Sequence, residues 1–155
     1  MRILVISDSH GNPQNVTAAI EQERTAEYIV HLGDGERDME PHLYAYPNKT
    51  IIQLAGNCDY SSFNPSAQLF IASGKRIFAT HGHPYYVKSG LTSLYLAARE
   101  KEAELALYGH THIPHLEIYN GITFLNPGSL ADGNYATIDI NSKGVECVHR
   151  KLRYY

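Results

Sequence analysis

A chain of 155 residues, 43% hydrophobic and 19% charged, is sized for one domain that buries about 70% of its unfolded surface. Its net charge of −3 argues against a broad basic face for duplex nucleic acid, and no apolar run reaches membrane-spanning length. Two distant cysteines, Cys58 and Cys147, suggest no disulfide framework, so a reducing cytoplasm is the expected compartment.

The chain opens on RILVIS (2–7), a continuous apolar run of buried-strand type and too short for a signal-peptide core. Asn12-Pro13 then supplies a helix cap and first-turn proline for NVTAAIEQER. YIVHLGD (28–34) and TIIQLAGN (50–57) are further buried strands, separated by ERDMEPHLYAY, a helix cut at Pro41. Such alternation predicts parallel strands joined by right-handed crossovers. AQLFIA and RIFATHG read as a hairpin about a Gly74-Lys75 turn. A helix is predicted over SGLTSLYLAAREKEA (89–103), with Leu91, Leu94, Tyr95 and Ala98 on one stripe. ELALYGH is a strand, HLEIY and ITFLN flank the hairpin signal Asn120-Gly121, and YATIDI pairs with VECVHRKL. The expected fold is α/β: two packed mixed β-sheets flanked by helices, forming a single domain over 1–155.

Polar residues collect at the ends of five strands. They are Asp8-Ser9-His10, Gly33-Asp34, Gly56-Asn57-Cys58-Asp59, His81-Gly82-His83 and Gly109-His110-Thr111-His112. Ligands of open α/β sheets gather outside the carboxyl ends of strands, so these loops should converge. In extended chain, residues two apart point the same way, which would present Asp8 with His10, and His110 with His112, to one side. Carboxylate and imidazole together suit manganese, iron, nickel or zinc. Seven such ligands exceed one tetrahedral site and match two ions roughly 3.5–4 Å apart that share a carboxylate.

The motifs D-x-H, G-D, G-N-x-D, H-G-H and G-H-T-H, in this order from residue 8 to 112, resemble those of the calcineurin-like metallophosphoesterases. Within that superfamily the chain is similar to the small YfcE-type phosphodiesterases, which also carry a segment like Asn126-Pro127-Gly128-Ser129. The resemblance implies an αββα sandwich and a dimetal phosphodiesterase acting on small diesters, with manganese as the first choice of metal. It implies Asp8, His10 and His112 at one ion, Asn57, His81 and His110 at the other, and Asp34 between them. A hydroxide shared by the ions would then attack phosphorus in line. His83 would contact the substrate phosphate or orient a neighbour. No stable nucleic-acid or membrane partner is implied, and a homo-oligomer stays open.

One position departs from the family. Many members have histidine where this chain has Cys58, and there the following acid, here Asp59, orients that histidine to protonate the leaving group. Cysteine is a weak hydrogen-bond donor, so Cys58 is either a poor participant in departure or a small residue filling a turn. The alternative to an enzyme is a protein-binding scaffold of the same fold, as in the retromer subunit. His31 is expected to be a bonded core residue, His42 to lie on a helix face, and His115 and His149 on the surface. Tyr85-Tyr86 are expected near the substrate, and Tyr154-Tyr155 at a subunit contact.

Overall fold

The computed structural model describes residues 1–154. The first half contains β1 (Arg2–Ile6), α1 (Pro13–Gln22), β2 (Tyr28–His31), α2 (Glu36–Met39) and β3 (Thr50–Gln53). There follow β4 (Ala67–Ala72), β5 (Lys75–Thr80), α3 (Thr92–Glu100) and β6 (Leu105–Leu107). The chain ends on β7 (His115–Tyr119), β8 (Ile122–Asn126), β9 (Asn134–Asn141) and β10 (Gly144–Lys151).

Because β1 is apolar on both faces it can be covered on both, and it takes the centre of a sheet ordered β10-β9-β1-β2-β3. Strands β1, β2 and β3 run parallel, while β9 and β10 run antiparallel. The second sheet is ordered β4-β5-β6-β8-β7, with β5, β6 and β8 parallel. Alternate residues of β1 serve different layers. Ile3 and Val5 meet Ile77, Ala79 and Leu107 between the sheets, whereas Leu4 and Ile6 pack under Val16, Ala19 and Ile20 of α1. Each buried Val, Leu or Ile contributes about 1.5–3 kcal/mol, so this double use makes β1 the keystone of both layers. Leu94 and Ala98 of α3 cover Phe78, Ala106 and Phe124 on the far side.

Local chemistry explains the boundaries. Asn12 caps α1 by accepting from the Asn15 N–H at 3.1 Å, with Pro13 in the first turn. The β4–β5 turn uses Ser73 and Gly74, both with positive φ, so Lys75 already belongs to β5. Helix α3 is shorter than the predicted 89–103: Gly90 has a φ of 122°, and Glu102 closes the other end with a φ of 55°. Pro41 reduces the predicted helix after residue 35 to the four residues of α2 and a 3-10 turn over Glu40–His42. There His42 is buried, with Nε2 3.1 Å from Thr17 Oγ1, and does not lie on an exposed helix face.

Candidate metal centre

The carboxyl ends of five strands meet at one edge of the sandwich. Backbone bonds tie the loop after β1 to the loop after β2, from Asp8 N to Gly33 O and from His10 N to Asp34 O, both 2.9 Å. The loops after β5 and β6 join through Gly109 N and His81 O at 2.9 Å. Glycine permits this crowding. A Cβ on Gly33, where φ is 114°, would stand 2.6 Å from the backbone nitrogen of Gly56.

The predicted residues converge, but not by strand alternation. Asp8, His10, Asp34, His110 and His112 all have positive φ, between 45° and 70°. They leave the extended conformation at once, and left-handed turns, not a two-residue repeat, aim their side chains. Non-glycine residues rarely adopt this region, and such strain collects where a site over-determines the backbone.

Two groups result. In the first, Asp8 Oδ1 lies 3.4 Å from His10 Nε2 and 3.2 Å from His112 Nε2, and the two imidazole nitrogens are 3.1 Å apart. In the second, Asp34, His81 and His110 cluster, and Asn57 Oδ1 lies 3.1 Å from His81 Nε2. Asp34 Oδ2 reaches both groups, 3.3 Å from His81 Nε2 and 3.7 Å from His10 Nε2. His110 and His112 thus sit side by side in sequence yet belong to different groups.

These residues fit divalent transition ions. Asp8 is fully buried; its Oδ2 accepts from Ser7 Oγ at 2.6 Å and from the His110 N–H at 3.1 Å. Among the described residues its Oδ1 has no hydrogen-bond donor and faces the imidazoles, which is costly unless a cation answers it. His81 Nδ1 donates to Leu32 O at 3.0 Å, which leaves Nε2 as a lone-pair donor.

Electrostatics bind the groups together. Burial would raise the Asp34 carboxyl, but the hydrogen bond and charge of His81 and the Cys58 N–H hold it well below the usual range. Burial opposes protonation of His81, yet Asp34 and Asp8 raise its pKa. His83 lies with its ring 5.4 Å from that of His81. Burial, then the charge of His81, lowers its pKa, and its buried Nδ1 has no hydrogen-bond partner among the described residues.

Asp59 takes a different part from the one its place after Cys58 suggested. Its carboxylate accepts four backbone N–H groups, from Asp34 (2.7 Å), Gly56 (2.8 Å), Gly35 and Glu36 (both 3.1 Å). It clips the loop after β2 to the loop after β3. Cys58 is exposed, its backbone N–H donating to Asp34 Oδ1 at 2.7 Å and its sulfur close to His10 and Asp34. Burial and then Asp34 push its thiol pKa up.

The chain matches the calcineurin-like phosphoesterase superfamily domain over residues 1–143. It belongs to that superfamily. It is 34% identical to the probable metallophosphoesterase YsnB of Bacillus subtilis over 132 residues, which covers 84% of this chain and 75% of the relative. Phosphodiesterase YfcE of Escherichia coli K12 is 28% identical, with 84% of this chain and 80% of YfcE covered. Among solved structures, a conserved protein of Streptococcus pneumoniae described as a predicted phosphoesterase superposes with a TM-score of 0.77. The two are 26% identical and cover 96% and 97% of one another. Vps29 of Entamoeba histolytica shares the fold, with a TM-score of 0.76 at 19% identity over 99% of this chain and 100% of its own. This calcineurin-like phosphoesterase is thus a metal-dependent hydrolase by family, on a sandwich of two five-stranded sheets.

Other predicted residues fall in varied places. Asn126 to Ser129 line the floor: Ser129 Oγ donates to Asp8 O at 2.9 Å, and Asn126 Nδ2 donates to Gly109 O and Thr111 Oγ1. Tyr85 packs edge-on against Phe78, and the groove beside the centre is lined by Tyr60, not by Tyr85 or Tyr86. His31 is a bonded core residue; His149 is exposed but bonds Asn126 O at 2.7 Å, and His115 is half-buried against Tyr108. Tyr154 donates to Asn15 Oδ1, and Tyr155 lies outside the described residues. Arg37 and Tyr60, which line the groove beside the centre, are marked by no sequence motif.

Proposed function

We propose that this phosphoesterase hydrolyses small phosphodiesters with two divalent transition-metal ions, manganese first among them. Asp8, His10 and His112 would hold one ion, Asn57, His81 and His110 the other, and Asp34 would serve both. The observation that carries this reading is the position of Asp34 Oδ2, within 3.3 Å of His81 and 3.7 Å of His10. Bound there, the ions supply Lewis-acid neutralisation of phosphoryl charge and a water-derived nucleophile at neutral pH.

The chain's own residues do the rest. The Leu32 carbonyl fixes the His81 tautomer, and Ser7 with the His110 N–H holds Asp8 so that one oxygen stays free. His83, kept neutral by its lowered pKa, supports the rings of His81 and His110 from the side. Cys58 stands beside His10 and Asp34, where the family's histidine would protonate a departing oxygen. A thiol with a raised pKa is a weak donor, so leaving groups that depart without a proton are favoured. The scaffold reading has the fold in its favour, but all seven candidate ligand positions hold residue types competent to bind metal, which favours catalysis. A small diester suits a chain of net charge −3, which carries no excess of basic residues for duplex nucleic acid.

The test is direct. Metal-stripped protein reloaded with Mn²⁺ should bind two ions per chain by elemental analysis and cleave bis(p-nitrophenyl) phosphate. Two bound ions with no turnover of any phosphoester would move the protein to the scaffold class. At most one tightly held ion in excess metal would break the dimetal reading.

A further inference from the structure

Four strands stand at the edges of the two sheets, β10 and β3 in one, β4 and β7 in the other. An open edge is a template for another chain, and proteins commonly blunt it with charge, proline or shortness. Strand β3 has only four residues, and β10 carries Glu146, Arg150 and Lys151. The β7 edge is less guarded. It runs HLEIY, with Ile118 73% exposed and Leu116 and Tyr119 each exposed as well.

The hairpin decides which backbone groups face outward. Asn120 and Gly121, both with positive φ, form a two-residue turn, so Tyr119 and Ile122 exchange both backbone bonds. By alternation Glu117 and His115 also bond β8, whereas the N–H and C=O groups of Leu116 and Ile118 point away from the sheet. Those groups meet no partner among the described residues. The side chains alternate too. Ile113, His115, Glu117 and Tyr119 line one groove beside Leu91, and Ile113 is 66% exposed. His115 Nδ1 lies 2.8 Å from the Tyr108 hydroxyl, which leaves Nε2 to face a carboxylate.

We propose that a second copy of this chain completes the β7 edge, the two strands running antiparallel about a two-fold axis at Leu116. The inference does not rest on the reading of the metal centre. Register follows from the side chains. An axis at Glu117 would set two like carboxylates directly opposite, which is unfavourable. An axis at Ile118 would set Leu116 against the Asn120 turn and leave Ile113 uncovered. The axis at Leu116 sets His115 opposite Glu117 of the partner subunit, and Ile113 opposite Tyr119 of the partner subunit, each twice by symmetry. A donor then meets an acceptor, and exposed apolar side chains cover one another.

The backbone agrees with that register. Leu116 exchanges both bonds with its own copy, and the Ile118 N–H reaches the carbonyl of Pro114 of the partner subunit. Proline has no N–H to return, so the ladder ends there. Two five-stranded sheets become one continuous sheet in a closed dimer. The loop that carries His110 and His112 runs straight into this interface. Strand β4, the other lightly guarded edge, has no charged residue to fix a register.

Sedimentation equilibrium of the full chain should show a dimer. Ile118→Lys should raise its dissociation constant by about 10²-fold or more, because the interface buries this side chain twice. Its circular dichroism should be unchanged, since Ile118 is exposed in the single chain. Ile71→Lys, on the exposed face of β4, should leave the dimer intact. Disulfide trapping reads the register, in a Cys58→Ser background that removes the exposed native thiol. His115→Cys and Glu117→Cys proteins should cross-link when mixed, since directly opposed residues of this kind lie about 4.5 Å apart at Cα, within disulfide reach. Neither should cross-link alone. A monomer throughout the micromolar range, a dimer indifferent to Ile118→Lys, or one lost with Ile71→Lys overturns the proposal. So does a mixture that fails to cross-link, or Glu117→Cys cross-linking with itself instead.

Discussion

Asp34 and His81 lie beneath the surface with side chains 3% and 0% exposed, whereas His10 and His112 stand 31% and 44% exposed. The buried side is held from behind. His81 is anchored on Leu32 O, and the Asp34 backbone on Asp59. On the open side the rings of His10 and His112 face each other, the carboxylates of Asp8 and Asp34 and, for His10, the Cys58 sulfur. Asp34, His81 and, in the other group, buried Asp8 are therefore held in place by the protein itself, whereas the exposed His10 and His112 rings have less to hold them. Outer hydrogen bonds to ligands typically change metal affinity or activity by about 10–100-fold, so the buried half should keep its ion more tightly.

Asp34 is the one group common to both halves, and its loss should erase the difference. Asp34→Asn should empty both sites and lower kcat by more than the ~100-fold upper range of an outer-shell change. His112→Asn should leave one ion per chain, held on the buried side. Elemental analysis of the two variants separates these outcomes; equal metal content in both would mean that Asp34 is not shared.

A smaller effect should follow from Asp59→Asn. Four backbone N–H groups converge on this carboxylate, and an amide offers one oxygen while turning its NH₂ toward the remaining donors. The ligands themselves remain, so the loss should be about 10–100-fold in affinity for the buried-side ion, with little change on the open side. Equilibrium dialysis at graded Mn²⁺ reads both steps. A uniform loss at both sites would show that the clip does not act on one half.

How much of this was legible in the sequence differs between the same two halves. All seven proposed ligands were marked by glycine-punctuated strand ends, because close loop packing demands glycine and metal binding favours His, Asp and Asn. The left-handed backbone of five of them was hidden. Positive φ at Asp8 or His110 is imposed by neighbouring loops, and no local preference for it could be read. The end of α3 was missed for a related reason, since Glu102, not glycine, takes the left-handed closing position. His42 is buried only because α1 places Thr17 beside it. Asp59 was noticed for its position after Cys58, but four convergent N–H groups are a tertiary fact.

Cys58 stands where the two halves meet, and Cys58→His tests whether departure can be assisted there. A positioned general acid is typically worth about 10²–10⁴-fold, but only when it is oriented. Asp59, the natural orienting partner, already spends its lone pairs on backbone N–H groups. The gain for alkyl leaving groups relative to nitrophenyl ones should therefore be only about tenfold, well short of that range. The measure is the ratio of the two rates at saturating Mn²⁺. An unchanged ratio with metal content intact would show that position 58 does not touch departure.

The smallest expected effect concerns stability, and it probes what keeps the buried half rigid. His31 is wholly buried behind the loops after β1 and β2. Its Nδ1 accepts from the Gly33 N–H at 3.1 Å, and Ser9 Oγ, which donates to Asp38 Oδ2, lies 3.0 Å from Nε2. This pattern fits one neutral tautomer, with the proton on Nε2. Protonating Nδ1 would turn an N–H against the N–H of Gly33. Burial, partly offset by Asp59, Asp8 and Asp38, accordingly lowers the pKa of His31 from 6.5 to about 4. The unfolded chain binds a proton below 6.5 that the folded chain refuses until about 4. His31 therefore contributes full stability above pH 6.5 and loses it as pH falls toward 4. The slope is about 1.4 kcal/mol per pH unit, or about 3 kcal/mol over the whole window. His81, whose pKa is raised, works in the opposite direction in metal-free protein, so the wild-type curve alone is ambiguous. The difference between wild type and His31→Gln removes that contribution, because glutamine can accept from Gly33 and donate to Ser9 without titrating. Urea midpoints of metal-free protein at pH 7 and pH 5 should fall further for wild type than for the variant. Parallel curves would mean that the loops behind Asp34 do not depend on a neutral His31, and that their rigidity comes from the Asp59 clip alone.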